Sequence, residues 1–142
     1  MSPTSDIIRQ LIVDLGLAEE SDGDWPCYVS FLPDEPHNAI AVYDTAGIPD
    51  GRVMAGERIE HAGIQIMVRG QIYKSTWEKV DLIARTLDIQ KQVIVAVESD
   101  TSYIVHNVAR TGTIIPNGLD EFSNQRRHYF TLNAAVTVAE QV

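Results

Sequence analysis

Cysteine is almost missing from this sequence, and positive charge is missing between Gln10 and Gly51. Cys27 is the one thiol in 142 residues. That excludes a disulfide within the chain and any thiolate metal cage built from one copy. No apolar run approaches the roughly 18 residues that a membrane span requires. The opening Met1-Ser-Pro-Thr-Ser-Asp6 carries none of the basic residues with which a secretory signal begins. A soluble product of a reducing cytoplasm is therefore expected. There is no Gly-x-Ser-x-Gly elbow, no phosphate-cradling Gly-x-x-x-x-Gly-Lys loop, no internal repeat and no low-complexity tract. No set of residues performs a recognisable catalytic step, so an enzyme is not expected.

What is present is an ordinary globular composition, 44% hydrophobic and 22% charged. The length suits one domain over residues 1–142, which buries roughly two-thirds of its unfolded surface and needs neither disulfide nor structural metal. The charge is unevenly placed. Between Gln10 and Gly51 stand Asp14, Glu19, Glu20, Asp22, Asp24, Asp34, Glu35, Asp44 and Asp50, with no Lys or Arg among them. Elsewhere acids and bases balance, so the formal net charge of −9 resides in this stretch. Such a surplus disfavours a protein that wraps nucleic acid. It suits a solvated acidic face, a surface that repels an anion, or one that meets a basic partner.

Periodicity outlines the elements. Ile8, Leu11, Ile12 and Leu15 recur at helical spacing, predicting a helix over about 5–15 with Thr4 or Ser5 as cap and Gly16 as stop. Residues 19–25 read as an acidic loop. Strands are expected over 27–32 and 38–43, joined as a hairpin through Pro33 and Pro36. A third is expected over 64–68, where Ile64, Ile66 and Val68 alternate with Gln65, Met67 and Arg69. Thr45 to Ala62, with Gly47, Pro49-Asp50-Gly51 and Gly56, reads as a long loop of the kind that is usually functional or mobile. Ser75-Thr-Trp-Glu78 has the form of a capping box opening a helix over 75–88, with Trp77, Val80, Ala84 and Leu87 as its apolar stripe. Strands follow over 93–97 and 103–109, a turn over 116–121, and a last strand over 129–138. The expected fold is α+β: a mostly antiparallel, four- to six-stranded sheet with two helices packed on one face.

Chemistry-bearing residues are few. Asp44, Asp50, Glu57 and His61 share the long loop, but their spacing matches no metal-binding pattern, and no cofactor is expected. Cys27, flanked by Trp25 and Tyr28, reads as a small hydrophobe. His37, His106 and His128 stand singly. Arg126-Arg127-His128 is the one basic cluster, read either as a guard at a strand edge or as a contact with an acidic neighbour.

Three segments in order carry a likeness: Ala41-Val-Tyr-Asp-Thr-Ala-Gly47, Gly63-Ile-Gln-Ile-Met-Val-Arg69, and Tyr73 followed by the helix over 75–88. Together with Tyr103-Ile-Val-His-Asn-Val108, Pro116-Asn-Gly-Leu-Asp-Glu121 and Arg126 to Phe130, they resemble the tail-terminator or "minor capsid" family of long-tailed bacteriophages. The resemblance implies a homohexameric ring at the junction of tail and head in the virion. Such a ring sits on the tail tube protein, stops its polymerisation, and offers a surface to the head-completion or connector protein. DNA would pass through it without being bound specifically, and no membrane is involved. It also implies interface roles for Arg69 and Tyr73, at the strand end and helix start. Further interface positions are expected in the loop, at Asp44, Thr45, Gly47, Asp50, Arg52, Glu57 and Arg58, and at Arg126 and Arg127. Glu19, Glu20, Asp22 and Asp24 are candidates for an acidic lumen or rim. Within the same class, another neck or head-completion protein is the alternative. Outside it stands a monomeric binding module that recognises its partner through residues 45–62. A metal-dependent hydrolase using the loop acids comes last.

Overall fold

The computed structural model describes residues 2–19, 24–52, 58–98, 101–122 and 124–140. Within them the order is α1 (Thr4–Asp14), β1 (Cys27–Val29), β2 (Ala39–Arg52), β3 (Arg58–Gly70), α2 (Tyr73–Thr86), β4 (Val93–Glu98), β5 (Thr101–Arg110), β6 (Ile115–Phe122) and β7 (Gln125–Glu140). The α+β class stands. The sheet has seven strands, however, instead of four to six, and it is mixed and curled into a half-barrel: every pairing is antiparallel except that of β1 with β2. Its order is β1-β2-β3-β7-β5-β4, with β6 also paired to β7. β7 is the spine: β3 lies along one edge from His128 to Ala139, while β6 and then β5 share the other.

Four expectations are corrected. First, Cys27–Val29 and the start of β2 do not form a hairpin. They run parallel, with Cys27 opposite Ile40 and Val29 opposite Val42. The chain loops over 30–38, where Arg69 and Arg127 hold the carbonyls of residues 33, 34, 36 and 37, and comes back in the same direction. Second, Thr45 to Ala62 is not a loop. Its described residues extend β2 and β3 into one long antiparallel hairpin, with register shifts between Thr45 and Ile48 and between Pro49 and Arg52. Gly47, Pro49 and Gly51, which suggest a loop, sit at or beside these bulges, and Gly56 lies outside the described residues. Third, residues 116–121 are strand: β6 pairs with β7, bulging beside Gly118 at φ 103°. Fourth, neither helix has a side-chain cap of its own. α2 begins two residues before Ser75, its N-cap is Ile72, and Ser75 and Glu78 lie inside it. The N-cap of α1 is Pro3, so Thr4 and Ser5 are already helical.

One apolar cluster joins the elements. Ile7, Ile8, Leu11 and Ile12 of α1 meet Ile40, Val42, Ile64, Ile66 and Val68 of β2 and β3. Val80, Ile83, Ala84 and Leu87 extend it from the α2 side, and Phe130, Leu132, Val136 and Val138 from β7. The strand alternation expected over 64–68 and 129–138 is thus realised as core against outer face. In α2 the expected stripe holds at Val80, Ala84 and Leu87 and departs at its first member: Thr76 is buried, while Trp77 keeps 39% exposure, its ring centroid 5.7 Å from that of Phe130. Leu15, at the end of the α1 stripe, is 41% exposed. Cys27 belongs to the core, and burial pushes its thiol up to about 12, which keeps it protonated and inert.

Candidate functional site

The long hairpin changes character at Asp44. Below it, Ala39 to Val42 are fully buried; from Asp44 to Gly47 every residue is exposed. Asp44 itself is engaged: its carboxylate accepts the Ser5 backbone N–H at 2.9 Å and the Ser5 hydroxyl at 2.6 Å. A strand residue therefore supplies the anionic cap that the α1 sequence lacks, satisfying one of the donors left open at a helix start. Just beyond, β2 and β3 pass unusually close. A Cβ on Gly47 would fall 2.4 Å from the His61 carbonyl oxygen, and one on Gly63 would fall 2.2 Å from Thr45 Oγ1. Only glycine fits either position, so this bulge is a built feature of the hairpin.

Shallow grooves of about 390 and 460 Å³ flank the bulge. Pro3, Thr4, Asp44 and Glu60 line the first; Ile64, Thr111, Asn133 and Ala135 line the second; Thr45, Gly47, His61 and Gly63 line both. His61 Nδ1 lies 3.1 Å from Thr137 Oγ1 on the neighbouring strand. Among the described residues, no three of His, Cys, Asp or Glu come together as a metal site. Of the other hairpin candidates, Arg52 and Arg58 are opposite one another in register at its outer end. Glu57 lies outside the described residues.

Arg69 and Arg127 form a second constellation. Both are buried, at 1% and 4% exposure. Arg69 donates from Nε to the His37 carbonyl at 3.0 Å and from Nη2 to the Pro36 carbonyl at 2.7 Å and the Pro33 carbonyl. Arg127 donates from Nη1 to the Asp34 carbonyl at 3.0 Å, and it grips Asp120 with Nε and Nη2, both at 3.1 Å. Tyr129 adds its hydroxyl to the same carboxylate at 2.8 Å. The hydrogen bond from Arg127 is the main reason that the Asp120 carboxyl is held below its ordinary value, with the Tyr129 hydroxyl helping. Two guanidiniums thus pin the 30–38 loop to β3 and β7, using the fork geometry that lysine lacks. Arg126 is exposed.

Tyr73 is not joined to Arg69 by any of these bonds. It is 56% exposed at the start of α2, with its ring 5.4 Å from His128 and 5.5 Å from Phe130. Ile72 at 66% and Leu119 at 51% exposure are also uncovered there, Leu119 being the register partner of His128. In the acidic segment, the Glu19 carboxylate accepts the Asp24 backbone N–H at 3.1 Å. Glu20 and Asp22 lie outside the described residues. Sequence reading misses Ser5, Asp120 and Tyr129. The pairing of Asp120 with Arg127 becomes visible only once residues 115–122 are recognised as strand, since the two are then opposite each other.

A family model described as Bacteriophage tail terminator protein matches residues 11–138, nearly the whole chain. The chain belongs to that family. Its role is accordingly a structural one in a phage tail, and its place is the virion tail. The family is one of structural phage proteins and is not a known enzyme family. Among curated proteins none matches the sequence. No helix among the described residues is long and apolar enough to cross a membrane.

Proposed function

We propose that this chain closes the finished tail tube as a homohexameric ring, ending polymerisation of the tube protein and presenting a docking surface to the head-completion or connector protein. Membership of the tail terminator family carries this reading. The outer half of the β2–β3 hairpin supports it: paired, bulged at Gly47 and Gly63, flanked by grooves, and exposed from Asp44 to Gly47. That arm is the surface that meets tube or connector. A ring contact is heterologous, so two different patches must fit each other. The acidic first third of one copy and Arg126 of the next are such a pair, since Arg127 spends its donors within its own chain.

Removing residues 47–56 tests the arm. The core cluster among the described residues lies outside this segment, so the shortened protein is expected to fold; tails assembled with it run past their normal length in electron micrographs. Normal tail length with this variant overturns the assignment. The acidic segment, repeated around a ring, lines a channel to which DNA does not adhere, because like charge removes the counterion-release gain that drives binding. Neutralising Glu19, Glu20, Asp22 and Asp24 to their amides slows DNA ejection while tail length stays normal. Ejection at the usual rate refutes that role.

A further inference from the structure

The sheet has four places where a strand edge is not covered by another strand among the described residues: β1, the outer half of β2, β6 and β4. An open edge offers unpaired N–H and C=O groups to any passing chain, and folded proteins blunt it with shortness, charge, proline or bulges. Three of the four do so here. β1 is three residues long. The outer half of β2 carries Pro49, Asp44, Asp50 and two register shifts. β6 carries Pro116, Asp120, Glu121 and the bulge beside Gly118.

β4 does not. From Val93 to Val97 it reads Val-Ile-Val-Ala-Val, without a charge or proline, and its only irregularity falls at the C-terminal end, between Ala96 and Glu98. Val95 points into the core, while Ile94 on the other face is 62% exposed and Ala96 beside it is exposed too. We infer that β4 is a docking strand whose occupant is β4 of a second copy, paired antiparallel so that the two sheets become one. The flanking charges select both occupant and direction. In sequence a base, Lys91, precedes the run and an acid, Glu98, closes the strand. An antiparallel partner of the same sequence sets the base end of each copy beside the acid end of the other, whereas a parallel one sets like beside like. Ile94 and Ala96 of each copy then cover those of the other, and the two-fold contact closes on itself, leaving no edge to continue. This contact is separate from the head-to-tail contact of a ring and does not rest on it.

Sedimentation of the full chain over a range of concentrations tests the pairing, with Ile94→Lys and Ala96→Lys alongside. Both residues are exposed, so neither change disturbs the core. The expected result is a reversible dimer whose dissociation constant rises about tenfold or more in each variant, each lysine meeting an identical strand. Alternate amides of residues 93–96 should also become protected from hydrogen exchange as concentration rises. A monomer at every concentration overturns the inference. So does a dimer indifferent to both substitutions, or open-ended polymer in place of a dimer. Tail length in assembly reactions reads the ring separately, so failure of one proposal leaves the other standing.

Discussion

The same two strands, β2 and β3, behave as two different structures along their length. The inner half, Ala39–Val42 against Ile66–Arg69, keeps an unbroken register, with Ile40, Val42, Ile66 and Val68 wholly buried. The outer half, from Asp44 outward, shifts register twice and keeps its place through backbone pairing and through glycines that admit no side chain. Apolar burial stabilises the first by roughly 25 cal/mol for each Å² removed from water. The second has little such burial, and its shape is set by local geometry. A strand that must fold and a surface that must be offered to a partner are thus built in continuity, the core serving as anchor for the arm.

Changes in the two halves should separate accordingly. Ile66→Ala removes methylenes from the core and is expected to cost about 3 kcal/mol in urea unfolding. Gly47→Val forces a side chain against the His61 carbonyl and is expected to cost about 2 kcal/mol at most, with exchange protection lost in the outer amides and kept in the inner ones. Equal loss across both halves would erase the distinction. The smallest effect lies at the clamp. Asp120 titrates below its ordinary value in the folded chain, so its contribution is complete above the ordinary carboxylate pKa of about 4 and fades as pH falls through the lowered native value. Its side chain is 44% exposed, which keeps the contribution small. Melting temperature should therefore fall slightly more between pH 5 and about pH 2 in the parent than in Asp120→Asn; a parallel decline would remove Asp120 from the account.

The sequence is readable where burial imposes a period and obscure where long-range contacts decide. Ile8, Leu11 and Ile12 mark α1, and the alternation from Phe130 to Val138 marks β7, because each faces the same core throughout. The direction of β1 is hidden, because it depends on Arg69 and Arg127, distant in sequence, fastening the carbonyls of residues 33, 34, 36 and 37. The hairpin arm is hidden by its own composition: Gly47 and Pro49-Asp50-Gly51 carry turn chemistry, yet here they serve bulges within strands. Ser75 and Glu78 mislead in a similar way, since a capping box is only a spacing until a helix begins there. Asp44 looks like a loop acid and is instead the cap of a helix thirty-nine positions away.

Tail length decides the central claim. Tails from an infection lacking this chain should appear in electron micrographs as tubes of widely varied, extended length. Purified protein supplied during assembly should restore a single sharp length, with extra density as an annulus at the head-proximal end. Tails of one correct length without the chain would contradict the account outright.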